Sequence, residues 1–268
     1  MQLTRVIKNR KRVCALVPAA GRGSRLKQKM PKILVPIVKE KRVWHILYEK
    51  LSPFVDQIHV VLSSKGISLF KQQMERDHIM SGVSTSIQTS PIGMGDAIFG
   101  AYDFWKDYES IFIIWGDQVF VSTETIQETI NNHFSSNETC LTIPISLVDR
   151  PYVQYLFNDD LSALKEVKQS REGDTMGENG FTDVGVFCLS TINLIDLWHT
   201  YLENVPRGLK TGEVNFLPFL SYLSTEVCWN VKTVFVKDPI ESRGINTPQD
   251  MDFFRKKFES LFLQDRFK

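Results

Sequence analysis

Long apolar runs, paired cysteines and clustered histidines are all missing from this 268-residue chain. No segment approaches the roughly 20 consecutive apolar residues that cross a bilayer, so no membrane partner is expected. The four cysteines, Cys14, Cys140, Cys188 and Cys228, are widely separated and form no CxxC pair, which removes the usual zinc and redox signatures. Their neighbours are apolar or β-branched, so all four are predicted to be small core residues in a reducing compartment, and the chain is expected in the cytoplasm. Five histidines form no HExxH or comparable cluster. An excess of charge is absent too: 32 basic against 31 acidic side chains leave a net +1, too little to coat nucleic acid through bulk electrostatics. Five basic residues between Arg5 and Arg12 precede an apolar stretch, as in a secretory leader. That stretch is short, contains Pro18 and runs straight into Gly-Arg-Gly-Ser-Arg, so secretion is not expected.

What is present is enough apolar residue for a large core, at 43% of the chain. A chain this long buries roughly 70–75% of its unfolded surface without disulfide or metal staples. Val13–Val17, Ile58–Leu62 and Ile111–Trp115 are short continuous apolar runs, the pattern of strands buried on both faces. Helical periodicity lies between and after them, over about 43–52, 66–80, 94–107 and 122–134. Strands alternating with helices predict right-handed βαβ units. From about 138 the texture becomes β-rich, with candidate strands at 139–147, 152–158, 162–168 and 182–189 and helices near 191–204 and 248–263. The fold class expected is therefore α/β: a Rossmann-like, mostly parallel but mixed central sheet with helices on both faces and a small β-rich lobe. One domain over 1–268 is expected, its halves at about 13–137 and 138–255 and a C-terminal helix continuing to 268. Ser170–Gly180, with three glycines among charges, reads as a mobile surface loop. The last helix carries Phe254, Phe258 and Leu261 on one face and is expected to pack on its own domain.

The strongest chemical signal follows the first strand: Leu16-Val-Pro-Ala-Ala-Gly-Arg-Gly-Ser-Arg25, then Met30-Pro-Lys-Ile-Leu-Val-Pro36. A glycine loop at the carboxyl end of a buried strand presents backbone N–H groups where open α/β sheets bind ligands. Arg22, Arg25, Lys27, Lys29 and Lys32 crowd into eleven residues there, a concentration of positive charge suited to several phosphates. Two commoner phosphate loops are excluded by spacing. The third glycine of a dinucleotide fingerprint would fall at Leu26, and no Gly-Lys-Ser/Thr string exists for a Walker loop.

The chain resembles the sugar-phosphate nucleotidyltransferases, and in particular the uridylyltransferase domain of N-acetylglucosamine-1-phosphate uridylyltransferases. The opening block Ala19-Ala20-Gly21-Arg22-Gly23-Ser24-Arg25 with Pro31-Lys32 carries the likeness. Gln88-Thr-Ser-Pro-Ile-Gly93-Met-Gly-Asp-Ala97, Trp115-Gly116-Asp117 and Gly244-Ile245-Asn246-Thr247-Pro248 continue it in the family's order. The resemblance spans about 13–255, without the hexapeptide repeats of the family's acetyltransferase half. It implies that the first half binds nucleotide and the second the acceptor. Arg25, Lys32 and Asp117 would be catalytic; Ala19, Ala20, Gly21, Gly23, Gln88 and Gly93 would bind the nucleotide; Tyr152, Asp183 and Gly185 would face the acceptor; Asp117 and Asn246 would hold Mg2+. Glu166 and Lys168 stand near the family's acidic sugar ligand. Three departures bear on the acceptor and the base. Tyr152-Val153 replaces Tyr-Gly, Asp183-Val184-Gly185 replaces Asn-Thr-Gly, and Met94 replaces a threonine.

The chemistry agrees with that division. An attacking phosphate, with a second pKa of about 6, is already ionised near pH 7 and needs no general base. Alignment and neutralisation of charge around the α-phosphorus are what remain, and lysine, arginine and a metal ion supply them. Asp117 could otherwise cap a turn, and Asn246 could precede a helix as a cap. The expected reaction is Mg2+-dependent transfer of a nucleoside monophosphate, from UTP or dTTP, to a sugar 1-phosphate with release of pyrophosphate. Two alternatives are a cytidylyltransferase acting on a polyol phosphate or phosphocholine, since Val17-Pro18-Ala19-Ala20-Gly21 also occurs in methylerythritol phosphate cytidylyltransferases, and a non-catalytic nucleotide-binding subunit. The expected partners are a nucleoside triphosphate and a phosphorylated small-molecule acceptor, with a second copy of the chain kept as a further candidate.

Overall fold

Strand β1 (Val13–Pro18) is buried along its whole length and sits inside the sheet, and its alternation sorts the core into two layers. The computed structural model describes residues 12–265 apart from 22–25, 27–29, 80, 91 and 206, with side chains through residue 259. After β1 come a two-stranded ribbon, β2 (Pro36–Val38) with β3 (Lys41–Arg42), and helix α1 (Val43–Leu51). Then follow β4 (Gln57–Ser63), α2 (Ser64–Arg76), β5 (Val83–Gln88), α3 (Met94–Phe99), α4 (Tyr102–Trp105), β6 (Ser110–Ile114) and α5 (Thr123–His133). Here β5, β4, β1 and β6 lie side by side in parallel register. Val13, Ala15 and Val17 pack with α1, α2 and α5 on one face, while Cys14 and Leu16 pack with α3 and α4 on the other. A strand covered on both sides must be apolar on both sides, which is why these segments read as continuous hydrophobic runs.

The second half reverses direction. It comprises β7 (Cys140–Asp149), β8 (Val153–Phe157), β9 (Leu164–Gln169), β10 (Asn179–Asp183), β11 (Val186–Ser190), α6 (Leu194–Asn204), α7 (Leu217–Thr225), β12 (Asn230–Phe235) and α8 (Pro248–Asp265). The ten-stranded sheet runs β5-β4-β1-β6-β11-β7-β10-β8-β9, with β12 beside β7. β11 enters antiparallel to β6, and β12 returns parallel to β7. The expected mixed α/β sheet with helices on both faces is what the chain forms, parallel in its first half and largely antiparallel in its second.

Several sequence expectations are corrected. The stretch 182–189 is two strands, because Gly185 adopts φ +75° and breaks the ladder between β10 and β11. The helix expected over 94–107 is interrupted at Gly100-Ala101, where glycine costs about 1 kcal/mol relative to alanine in a helix interior. Strands β5 and β12 and helix α7 were not anticipated. β5 is polar, but its Ser84 and Ser86 flank the fully buried His59 at 2.8 and 2.9 Å, satisfying both ring nitrogens. Burial lowers the His59 pKa to about 4, so the ring stays neutral. Cys14, Cys140 and Cys188 are buried as expected, whereas Cys228 is exposed at φ +58° in the connection between α7 and β12. On α8, Phe254 and Phe258 stack on Phe120, so the helix does pack on its own domain; the side chain of Leu261 lies outside the described residues. Among the described residues no helix is long and apolar enough to cross a membrane.

Candidate active site

The carboxyl ends of β1 and β6 open into a cavity of about 780 Å³, the place where open α/β sheets bind ligands. Pro18 to Gly21 form one part of its wall, directly after β1. Ala19 N–H donates to Val61 O of β4 at 2.8 Å, and Gly116 N–H donates to Pro18 O at 3.3 Å, which ties the loop after β6 to the end of β1. Gly116 has to be small, since a Cβ there would sit 3.1 Å from Pro18 O and from Ala19 Cβ. Gly23 and Arg25, expected at the nucleotide phosphates, lie outside the described residues, as do Arg22, Lys27 and Lys29.

Three side chains from distant parts of the chain meet at this end of the sheet. Lys32, in a single 3-10 turn over Lys32–Leu34, donates from Nζ to Asp117 Oδ2 at 2.7 Å and to Asn246 Oδ1 at 3.2 Å. Asp117 emerges three residues after β6. Asn246 reaches it because the last quarter of the chain folds back over the sheet: Ile245 N–H donates to Asp117 O, and Ser122 N–H to Glu241 Oε2 at 2.7 Å. Gly244 lies against the Asp117 carboxylate, 3.1 Å from Oδ2 to where a Cβ would stand. Asn246 is fixed by the start of α8, where Asp250 Oδ2 accepts from the backbone N–H of Asn246 and Thr247 and from the Thr247 hydroxyl. Burial raises the Asp250 pKa, but those hydrogen bonds outweigh it and hold the carboxyl below its usual range. Behind Asp117, Lys50 Nζ donates to the carbonyls of Val119 and Val121, tying α1 to the segment that carries the aspartate.

Another wall of the cavity is the turn into α3. Gln88 Nε2 donates to Gly93 O at 3.0 Å and to Asp96 Oδ2 at 2.7 Å, so the amide nitrogen holds the loop shape. Gly93 takes φ +138°, and a Cβ there would stand 2.4 Å from Val214 O. Val214 in turn exchanges backbone hydrogen bonds with this loop, accepting from Gly95 and donating to Ile92.

Across the cavity, Tyr152 is exposed at its rim and Asp183 is part of its wall. Asp183 accepts from Tyr155 Oη at 3.0 Å and from Gly185 N–H at 2.6 Å. Burial raises its pKa, and the two donors only partly offset that rise. Gly185 itself is not among the lining residues, and neither are Glu166 and Lys168. The β9 positions that do line the cavity are Gln169 and, just beyond the strand, Arg171.

Arg171 and its neighbours were missed by sequence reasoning, which took Ser170–Gly180 for a free loop. The segment is tied down instead. Arg171 donates to Glu213 at 2.9 Å and to Asn215 at 2.5 Å. Glu172 accepts from Thr211 Oγ1, Asn215 Nδ2 and the backbone N–H of Lys210 and Thr211. Burial raises the Glu172 pKa, but these donors overcome it and pull the carboxyl down to about 2. The strap 207–216 thus joins the segment after β9, through Glu172 and Arg171, to the Gly93 loop, through Val214.

The cavity opens where parallel β6 meets antiparallel β11, and a lysine, an aspartate and an asparagine converge there. The chain belongs to the MobA-like NTP transferase domain family, whose model matches residues 15–178. It is 24% identical over 243 residues to the bifunctional protein GlmU of Clostridium perfringens, covering 89% of this chain and 50% of that protein. It is 28% identical over 200 residues to GlmU of Clostridium beijerinckii, covering 73% and 42%. The chain therefore spans about half the length of the curated relatives it matches. Among solved structures, HddC from Yersinia pseudotuberculosis superposes with a TM-score of 0.66 at 22% identity, over 91% of this chain and 99% of that one. The 4-diphosphocytidyl-2C-methyl-D-erythritol synthase of Anaerococcus prevotii does so with a TM-score of 0.63 at 16% identity, over 93% and 96%. The resemblance drawn from the sequence motifs is thus upheld at the level of family and fold.

Proposed function

We propose that this nucleotidyltransferase joins a nucleoside monophosphate from a pyrimidine triphosphate, UTP or dTTP, to a sugar 1-phosphate and releases pyrophosphate, with Mg2+ as its cofactor and the cytoplasm as its site of action. The single observation that carries the reading is the convergence of Lys32, Asp117 and Asn246 at the carboxyl end of the parallel strands. A carboxylate oxygen and an amide oxygen already accept from one cationic nitrogen, so both can serve one cation. Their separation cannot exceed the 2.7 and 3.2 Å contacts laid end to end. The donor set suits Mg2+, which takes few protein oxygens and completes its shell with phosphate oxygens and water. Among the described residues no group of three His, Cys, Asp or Glu gathers to hold a metal, so Asp117 and Asn246 are the proposed protein share. Asp117 and Asn246 would hold the ion, which when bound neutralises charge building on the phosphates.

The remaining work falls to this chain. Lys32 and Arg25 are assigned to neutralise the triphosphate and the incoming phosphate. Backbone N–H groups of Ala20 and Gly21 are assigned to the nucleotide, and Ala19, whose own N–H is taken by Val61 O, is assigned to the same wall. Gln88, whose amide nitrogen is committed to its loop, is assigned to present its carbonyl side with Gly93 to the base. Tyr152 and Asp183 are assigned to the acceptor, and Gly185 acts behind Asp183 as its hydrogen-bond donor. A phosphate oxygen of the acceptor attacks the α-phosphorus, the bond to the β-phosphate oxygen breaks, and pyrophosphate leaves with that electron pair. No residue needs to remove a proton, because the nucleophile is already ionised.

The test is pyrophosphate release by purified protein with Mg2+ across the four ribonucleoside triphosphates and dTTP, each against a panel of sugar 1-phosphates, polyol phosphates and phosphocholine. UTP or dTTP with a sugar 1-phosphate should turn over fastest. CTP with a polyol phosphate or phosphocholine as the best pair would replace this assignment by a cytidylyltransferase, and binding of nucleotide without any turnover would favour a regulatory subunit.

A further inference from the structure

Gln118, the residue after Asp117, carries a polar group that the fold leaves without a use. It lines the cavity, is only 6% exposed, and its Oε1 is buried with no hydrogen-bond partner among the described residues. Two other buried orphans among the described residues, Arg42 Nε and Trp44 Nε1, belong to residues outside the cavity lining. Buried side-chain oxygens in folded proteins are nearly always bonded, so an orphan in the wall of a binding cavity calls for an explanation.

The surroundings are built to keep an amide there. Gly185 lies against it, and a Cβ on Gly185 would stand 2.4 Å from Gln118 Cγ and 2.6 Å from Nε2. The left-handed turn at Gly185 is itself secured by the Asp183 carboxylate. On the backbone, Gln118 N–H donates to Trp115 O, and Trp115 N–H to Gly185 O, so the segment is pinned on both sides. A leucine or methionine would fill the same space without stranding a carbonyl. The amide is therefore costly to the protein alone and becomes useful when a ligand donor meets it. As the side chain stands Oε1 is shielded, and a half-turn about its terminal torsion, which is broad and roughly two-fold, exchanges oxygen for nitrogen.

We propose that Gln118 is a specificity-determining residue that reads one hydroxyl of a polyhydroxylated acceptor, standing between the metal-side Asp117 and the acceptor-side Asp183. The inference rests on the sugar 1-phosphate reading above and adds the residue that selects among such acceptors. A hydroxyl can donate to Oε1 and accept from Nε2, which suits a sugar ring and not an apolar or quaternary ammonium acceptor.

The test compares wild type with Gln118→Met using the best sugar 1-phosphate and the set of its deoxy analogues, each lacking one hydroxyl. Gln118→Met should lower kcat/KM for the full acceptor at least about 10-fold, the scale of one lost hydrogen bond to a buried group. The KM for the triphosphate should be unchanged, and the melting temperature equal or higher because the orphan is gone. One deoxy analogue should be used equally well by both proteins. Gln118→Asn, which keeps the amide but withdraws it by one methylene, should fold and show the same selective loss. An unchanged kcat/KM, a loss equal across all deoxy analogues, or a lowered melting temperature with both substrates affected would overturn the proposal. Wild type that turns over no sugar 1-phosphate would defeat the proposed function and this inference together; wild-type turnover with an indifferent Gln118→Met defeats only the inference.

Discussion

The two walls of the cavity are held in place by different forces. On the wall proposed for the nucleotide, Asp117 and the Pro18–Gly21 loop extend from β6 and β1, which are buried along their length among the two apolar layers. On the wall proposed for the acceptor, Arg171 and Asp183 are positioned by polar contacts across long sequence distances, through Glu172, Glu213, Asn215 and Tyr155. Apolar burial is non-directional and tolerant, whereas a buried carboxylate is held only while each of its donors is present. The comparison therefore expects substitutions at the nucleotide wall to cost chemistry without stability, and those at the acceptor wall to alter substrate use and pH response together.

The largest expected effect is at Lys32. Lys32→Met should cut turnover at least about 10²-fold, the scale for removing a fixed charge that faces the transition state, with melting nearly unchanged. Arg25→Ala is expected to act in the same direction. Near-native turnover in Lys32→Met, measured by pyrophosphate release, would end the argument that this wall carries the chemistry.

Next is Glu172→Gln, which removes the charge that gathers the strap 207–216. It should raise the acceptor KM several-fold while changing the triphosphate KM less. The folded carboxyl sits at about 2, against an ordinary value of 4.5. Because the folded value is the lower one, its stabilisation is complete above about pH 4.5 and is lost as pH falls toward 2. The gap in melting temperature between wild type and Glu172→Gln should therefore narrow across that window. A gap independent of pH would mean that Glu172 acts through shape and not through charge.

The smallest effect is at the cysteines. Cys228, exposed, should react with a thiol reagent in the native protein without loss of activity. Cys14 should stay protected until unfolding, since burial pushes its pKa up to about 12 and suppresses the thiolate. Mass spectrometry after brief labelling checks both.

The difference between the walls also explains which parts were legible in the sequence. Val13–Val17 and Ile111–Trp115 announce themselves because strands covered on both faces are apolar throughout. β5, by contrast, is a polar edge strand whose serines make sense only beside His59 of the neighbouring strand. Lys32, Asp117 and Asn246 were each recognisable through their local motifs, but their meeting depends on the return of the chain over the sheet. Glu172 and Arg171 looked like solvated charges in a glycine-rich loop. Their partners lie about forty residues further on, where no local pattern connects them. Gln118 carries no sequence signal beyond its position after Asp117; only its burial without a partner sets it apart.

The central claim is that Asp117 and Asn246 act through one cation beside Lys32, and a double-mutant cycle in Mg2+-dependent pyrophosphate release tests it most directly. Asp117→Asn should abolish measurable turnover or nearly so, since an amide is a poor replacement for a carboxylate on a hard cation. Asn246→Ala should raise the Mg2+ concentration needed for half-maximal rate. The double variant should be no worse than Asp117→Asn alone, because two residues serving one ion do not contribute independently. Losses that add in full, with an Mg2+ dependence in Asn246→Ala identical to wild type, would contradict a shared ion.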